Sequence, residues 1–154
     1  MTEDQRTIVV GVDGSDAGDG ELRWAVREAA RQHDRVHAIH VRNREDLLPG
    51  TSFAFEPHGR VHSTEVGTLQ EQVRAAVRSA TQNMPEPPEI MESVRTGHPA
   101  TELIAASAEA DLLVVGSHGH QPLAELLLGS VAAECVRHAH CPVVIAPATV
   151  AATN

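Results

Sequence analysis

Two short glycine-bearing stretches hold the residue types best suited to chemistry in this chain. The first is Gly11-Val12-Asp13-Gly14-Ser15. The second is Gly116-Ser117-His118-Gly119-His120-Gln121-Pro122, which leads on to Gly129-Ser130. Backbone N–H groups of a glycine loop, like those at the head of a helix, point outward and favour negative charge, so both stretches suit an anion. Asp13 suits a ribose hydroxyl, whose hydrogen bond it can accept. Ser130 offers a hydroxyl to phosphate or to a phosphate-bound metal. Neither stretch is a Walker A loop, because no Gly-Lys-Ser/Thr follows, and neither is G-x-G-x-x-G. Glycines after strands form plain turns more often than phosphate cradles, so these residues alone leave both readings open.

Other reactive side chains point to less. His138-Ala139-His140-Cys141, with Cys135, His118 and His120, matches no common zinc spacing, and His138 and His140 point apart if the segment is extended. Cys135 and Cys141 are separated by six positions and a helix end, which disfavours a redox pair. Asp13 has no paired base, triad or second carboxylate beside it, so it reads as a ribose ligand rather than a catalytic acid. No catalytic residue and no protein metal ligand is assigned. Trp24 reads as helix packing.

The elements that must position these stretches can be read from periodicity. Thr7 to Val12 is an unbroken apolar, β-branched run, the pattern of a strand buried on both faces in a parallel sheet. Leu22, Ala25, Val26, Ala29 and Ala30 form one helical stripe, with Ser15 or Asp16 as its N-cap. Val36 to Val41 alternates as a second strand, with His37 and His40 on opposite faces. From Arg42 to His62 periodicity disappears, and Pro49, Gly50, Pro57 and Gly59 mark a loop of about 20 residues, the length of a lid or binding loop.

Leu69, Val73, Ala76, Val77 and Ala80 rebuild a helix that Pro85, Pro87 and Pro88 end. Glu89 to Arg95 is a weaker, edge-like strand, and Pro99 opens a third helix with Leu103, Ile104 and Ser107 facing inward. Asp111 to Val115 is the second continuous apolar strand. A short helix from Ser130 to His138 then precedes the last strand, Pro142 to Ala146. Strand and helix alternate throughout, which makes an α/β fold: an open parallel sheet with helices on both faces. Ligands of such sheets bind beyond the carboxyl ends of the strands, where the winding reverses. Both glycine stretches end there.

The 154 residues suit one domain, 1–148, with a frayed tail at 149–154. Aromatics make up 2% of the chain, which argues against a single-stranded nucleic-acid binder that needs stacking faces. A net charge of −9 repels phosphate backbones and anionic lipid. Ten histidines would bring that charge close to zero in acid. Two cysteines make no disulfide framework, and no apolar run reaches the ~20 residues of a membrane span. The expectation is a cytoplasmic protein without nucleic-acid or membrane partners.

Gly116-x2-Gly119-x9-Gly129-Ser130 resembles the G-x2-G-x9-G-S/T motif of the universal stress protein family, in its ATP-binding branch. The resemblance extends to VVGVDGS at Val9–Ser15, WA at Trp24–Ala25, DLLVVGSHG at Asp111–Gly119, LLLGSV at Leu126–Val131 and RHAHCPVVI at Arg137–Ile145. It implies a Rossmann-like, five-stranded parallel sheet of order 3-2-1-4-5 and a homodimer. It also implies a nucleotide-dependent stress sensor or regulator that binds ATP, or AMP or ADP, with Mg²⁺, and that regulates a protein partner yet to be identified.

By the same resemblance Gly11 and Asp13 lie by adenosine and ribose, Val41 holds adenine through its backbone, and Gly116 contacts ribose. Gly119, Gly129, Ser130 and Val131 wrap the phosphates, with Ser117, His118 and His120 in the same turn. Many members carry arginine and further glycine there, as in SRGRGG. Histidines in place of an always-charged residue weaken triphosphate binding at neutral pH and strengthen it in acid. Strand order 3-2-1-4-5 leaves Pro142 to Ala146 as an apolar edge through which two copies pair. A slow ATPase or related adenosine-nucleotide hydrolase, and a nucleotide-free interaction module, are the rival readings. Flavin binding is disfavoured by the lack of aromatic walls.

Overall fold

The apolar run at the start of the chain becomes the middle of the sheet. In the computed structural model, which describes residues 5–13, 19–43, 60–117 and 128–146, β1 (Thr7–Gly11) pairs in parallel with β2 (Arg35–Asn43) on one side. On its other side it pairs with β4 (Leu112–Gly116). β3 (Ile90–Gly97) extends the sheet beyond β2, and β5 (Val143–Ala146) extends it beyond β4, so the order is β3-β2-β1-β4-β5 with every pairing parallel. The five-stranded parallel sheet expected from the sequence is therefore the observed one, in the expected order.

A strand between two neighbours is buried on both faces, and alternate residues divide between the helical layers. Ile8, Val10, Val36, Ala38 and Val114 pack under α1 (Asp19–Gln32) and α2 (Arg60–Thr81), against Leu22, Val26, Val73 and Val77. Val9, Ile39, Leu113 and Val115 face the other way, against Leu103 of α3 (Pro99–Ser107) and Ala132 and Cys135 of α4 (Ser130–His138). Trp24 lies against the first of these clusters, a packing role. α1 ends where His33 takes a left-handed conformation (φ 60°) and the Asp34 N–H reaches back to the Ala29 carbonyl at 2.9 Å.

The boundaries differ from the sequence reading at one place that matters. β2 runs on to Asn43, and α2 starts at Arg60, whereas the sequence reading kept 42–62 as one loop and began the helix at its apolar stripe. The reason is burial. Among the described side-chain positions of α2, Gly67, Thr68 and Gln70 are exposed and the first buried one is Val73, so the apolar stripe beginning at Leu69 marks only the later turns. The rest of that loop, 44–59, lies outside the described residues, as do Ser15 and Asp16, the expected caps of α1, and the tail at 149–154.

Candidate functional site

Because β1, β2 and β4 are adjacent and parallel, their carboxyl ends open on one side of the sheet, at the point where the chain winds away in both directions. Gly11 ends β1 in register with Ile39, which places Val41 two residues further along the neighbouring strand. Val12 fastens the end of β1 to β2 twice. Its N–H donates to the Ile39 carbonyl at 2.8 Å, and its own carbonyl accepts the Nδ1–H of His40 at 2.8 Å. The carbonyl has no proton to give, so His40 carries one on Nδ1. Asp13, half-buried, follows directly and is held at the mouth of the crevice by these bonds.

On the other side of β1, Gly116 ends β4 in register with Ala146 of β5. Ser117 continues the ladder, its N–H donating to the Ala146 carbonyl at 3.2 Å. Its carbonyl accepts the Gly129 N–H at 2.6 Å, which docks the head of α4 on the end of β4. Gly129 is the N-cap residue, extended at φ −61°, ψ 158°, with no side-chain cap. The first intrahelical bond comes from the Ala133 N–H, 2.9 Å from the Gly129 carbonyl. The amides of Ser130, Val131 and Ala132 thus precede the helix ladder and carry the positive end of its dipole.

The structure brings Gly11, Asp13, Val41, Gly116, Ser117, Gly129, Ser130 and Val131 to this one end of the sheet. His118, Gly119 and His120 lie outside the described residues. Two of the glycines prove to be packing glycines as well. A Cβ on Gly11 would stand 2.9 Å from Cδ1 of Leu103, so the Leu103 side chain would have to shift to admit one. A Cβ on Gly116 would collide with Oε1 of Glu21 and fall 2.8 Å from its Cδ.

Glu21 is a site residue that the sequence reading missed. It is 9% exposed, and its carboxylate lies against the Cα of Gly116. The signal was present, because Glu21 is four positions before Ala25 and therefore on the buried stripe of α1.

The remaining candidates sit elsewhere. Cys135 is fully buried and its thiol is pushed up to about 11 by desolvation and by Glu134, and burial and Asp111 raise Cys141 too, so neither is a ready nucleophile. Both are free thiols. A cleft of about 250 Å³ lies at the opposite end of the sheet, where Asp34, Glu86 and Glu89 line it and oppose an anionic ligand. Among the described residues no three His, Cys, Asp or Glu side chains converge as a metal site, and no helix is long and apolar enough to cross a membrane.

Comparison with known proteins gives a consistent set of matches. Residues 5–147 match the universal stress protein family. A universal stress protein of Mycobacterium tuberculosis is 32% identical over 145 residues, a match covering 90% of this chain and 46% of that relative. One from Methanocaldococcus jannaschii is 31% identical over 143 residues, covering 91% of this chain and 81% of the relative. The chain spans about half the length of the mycobacterial relatives it matches. Among solved structures, the universal stress protein UspA from Lactobacillus plantarum shares the fold with a TM-score of 0.73 at 23% identity, over 93% of this chain and 99% of that one. A universal stress protein solved in complex with cAMP gives a TM-score of 0.66 at 25% identity, over 94% of this chain and 98% of that one.

Proposed function

Because the chain belongs to the universal stress protein family, we propose that it binds an adenine nucleotide at the carboxyl end of its sheet and acts as a nucleotide-dependent stress sensor or regulator. The observation that carries this reading is the head of α4, where Gly129 is fastened to Ser117 and the next three amides stand ahead of the helix ladder. Such donors fit a phosphate, which needs N–H groups and a positive dipole rather than a paired base. The similarity to a structure in complex with cAMP supports an adenine nucleotide as the ligand class.

ATP with Mg²⁺ is the first choice of ligand, with AMP and ADP as alternatives. Gly11 and Asp13 lie by adenosine and ribose, Val41 meets the adenine through its backbone, and Gly116 borders the ribose. Ser117, His118, Gly119, His120, Gly129, Ser130 and Val131 surround the phosphates, with the Ser130 hydroxyl available to phosphate or to its metal. Bound Mg²⁺ would neutralise phosphate charge. The protein works as a homodimer paired through its last strand, and the nucleotide state is what a regulated protein partner reads.

Isothermal titration of Gly129→Val with ATP and with adenosine tests the site. The backbone at Gly129 is extended, a conformation that valine also adopts. ATP affinity is expected to fall at least about tenfold, or about 1.4 kcal/mol, while adenosine, having no phosphate, changes little. An ATP affinity equal to wild type would remove the phosphate assignment.

A further inference from the structure

The cleft of about 250 Å³ at the amino ends of the strands lies where α1 stops and where β1, β2 and β3 begin. Backbone bonds fix its frame. The Arg35 N–H donates to the Arg6 carbonyl and the Val36 N–H to the Glu89 carbonyl, both at 2.9 Å, and the Gln5 side-chain amide donates to the His33 carbonyl at 3.3 Å. Asp34 lines this cleft and is 5% exposed. Its N–H is taken up by the Ala29 carbonyl, yet among the described residues its carboxyl group meets no donor and no cation. Neither of its oxygens is among the fully buried side-chain atoms left without a partner, so they reach solvent, and the cleft is where Asp34 meets it. A carboxyl group so enclosed and without a hydrogen bond is costly whether or not it carries its proton, which favours a guest that brings donors.

The other walls supply acceptors. Glu86 and Glu89 are exposed, Pro87 and Pro88 have no N–H to give, and α1 turns the negative end of its dipole to this end of the sheet. Neighbouring cations are engaged elsewhere: Arg31 pairs with Glu28 at 4.0 Å, and the Arg35 Nε–H donates to the Thr7 hydroxyl at 3.0 Å. Among the described residues no three acids or histidines converge as a metal site, so the acceptors suit a cation that spreads its donors. The space falls below the roughly 300–1,000 Å³ of pockets for drug-sized ligands and takes one side-chain-sized group. We propose that this cleft binds an alkylguanidinium, the head group shared by an arginine side chain and a small free guanidine. Its N–H groups satisfy Asp34 and the glutamates, and its planar face and stem suit the apolar wall of Ala30, Pro87 and Pro88.

Amide NMR titration with butylguanidine, and with an arginine blocked at both ends, tests the site and separates the two sources. Saturable shifts are expected at Asp34, Glu86 and Glu89, and none with butylurea, which has a similar shape and no charge. Binding of butylguanidine alone assigns a small free guanidine, whereas binding of both assigns an arginine side chain of a partner. Asp34→Asn keeps the shape and should weaken butylguanidine at least about tenfold. Glu89→Gln, at an exposed position, should weaken it about threefold or less. Spectra otherwise like wild type show that both variants are folded. Three results would each overturn the proposal: no saturable shift with either guanidine at millimolar concentration, equal binding of butylurea, or equal affinity in wild type and Asp34→Asn.

Discussion

His37 and His40 lie three residues apart on β2 and meet different neighbours. His40 gives its Nδ1 proton to the Val12 carbonyl and so helps to hold Asp13 at the mouth of the crevice. His37 is on the opposite face, with Nε2 2.7 Å from the Ser93 hydroxyl of β3. Desolvation, and then the positive charge of Arg95, lowers its pKa from the usual 6.5. The unfolded chain then binds the proton more readily than the folded one. Stability from a neutral His37 is complete above the unfolded pKa and is lost as pH falls through the folded one. The urea midpoint should drop between about pH 7.5 and about pH 5.5, and His37→Asn should lessen that drop. Equal drops in both proteins would mean that other groups set the acid sensitivity. At this scale the sequence was partly legible. Alternation alone separated the two histidines, but no periodicity told which of them would meet a carbonyl. Gly11 and Gly116 were legible as strand ends. Their second task, making room for Leu103 and Glu21, depends on helices that arrive from elsewhere in the chain.

Helices and strands are joined at this fold's core by very few polar side chains, and Ser107 is the clearest among those described. It is 1% exposed at the last turn of α3. Its hydroxyl donates to the Ile104 carbonyl at 2.6 Å and accepts the His140 N–H at 2.9 Å, pinning the turn between α4 and β5 to α3. Ser107→Ala leaves that N–H without its partner, and chemical denaturation should show a loss of about 1 kcal/mol with nucleotide binding retained. A variant as stable as wild type would mean that solvent replaces the hydroxyl. Elements whose apolar residues repeat cleanly, such as β1, β4 and α1, were readable from the sequence to within a few residues. α2 was not readable at its start, because its apolar stripe begins only at Leu69, well after Arg60.

Across the whole molecule the two sheet edges differ in character. β3 carries Glu92 and Arg95, with Glu92 3.7 Å from Arg74 of α2, and charge blunts an edge. β5 offers Val143, Val144 and Ile145, all half-buried, and Val136 of α4 is 55% exposed. The β4–β5 ladder uses the carbonyls of Pro142 and Ala146, bonded by Leu113 and Ser117, so the even positions of β5 face inward. In a parallel ladder the N–H of Ile145 then points away from the sheet, at the edge proposed to pair with a second copy. Ile145→Pro should give a monomer in light scattering at micromolar concentration with the helical circular dichroism retained. A folded dimer of that variant would exclude β5 as the pairing edge.

The placement of β1 between β2 and β4 also governs the order in which the chain can close. The Thr7 N–H meets the Asp111 carboxylate at 2.8 Å across 104 positions of sequence. During synthesis β2 and β3 emerge long before β4, so the growing sheet carries the unpaired side of Ile8, Val9 and Val10 as an open edge until the second half has left the ribosome. A contact of that sequence span raises the contact order and slows closure, because loop entropy must be met before the ladder rewards it. The strand that anchors the finished sheet is thus its point of exposure to aggregation while the chain is being made.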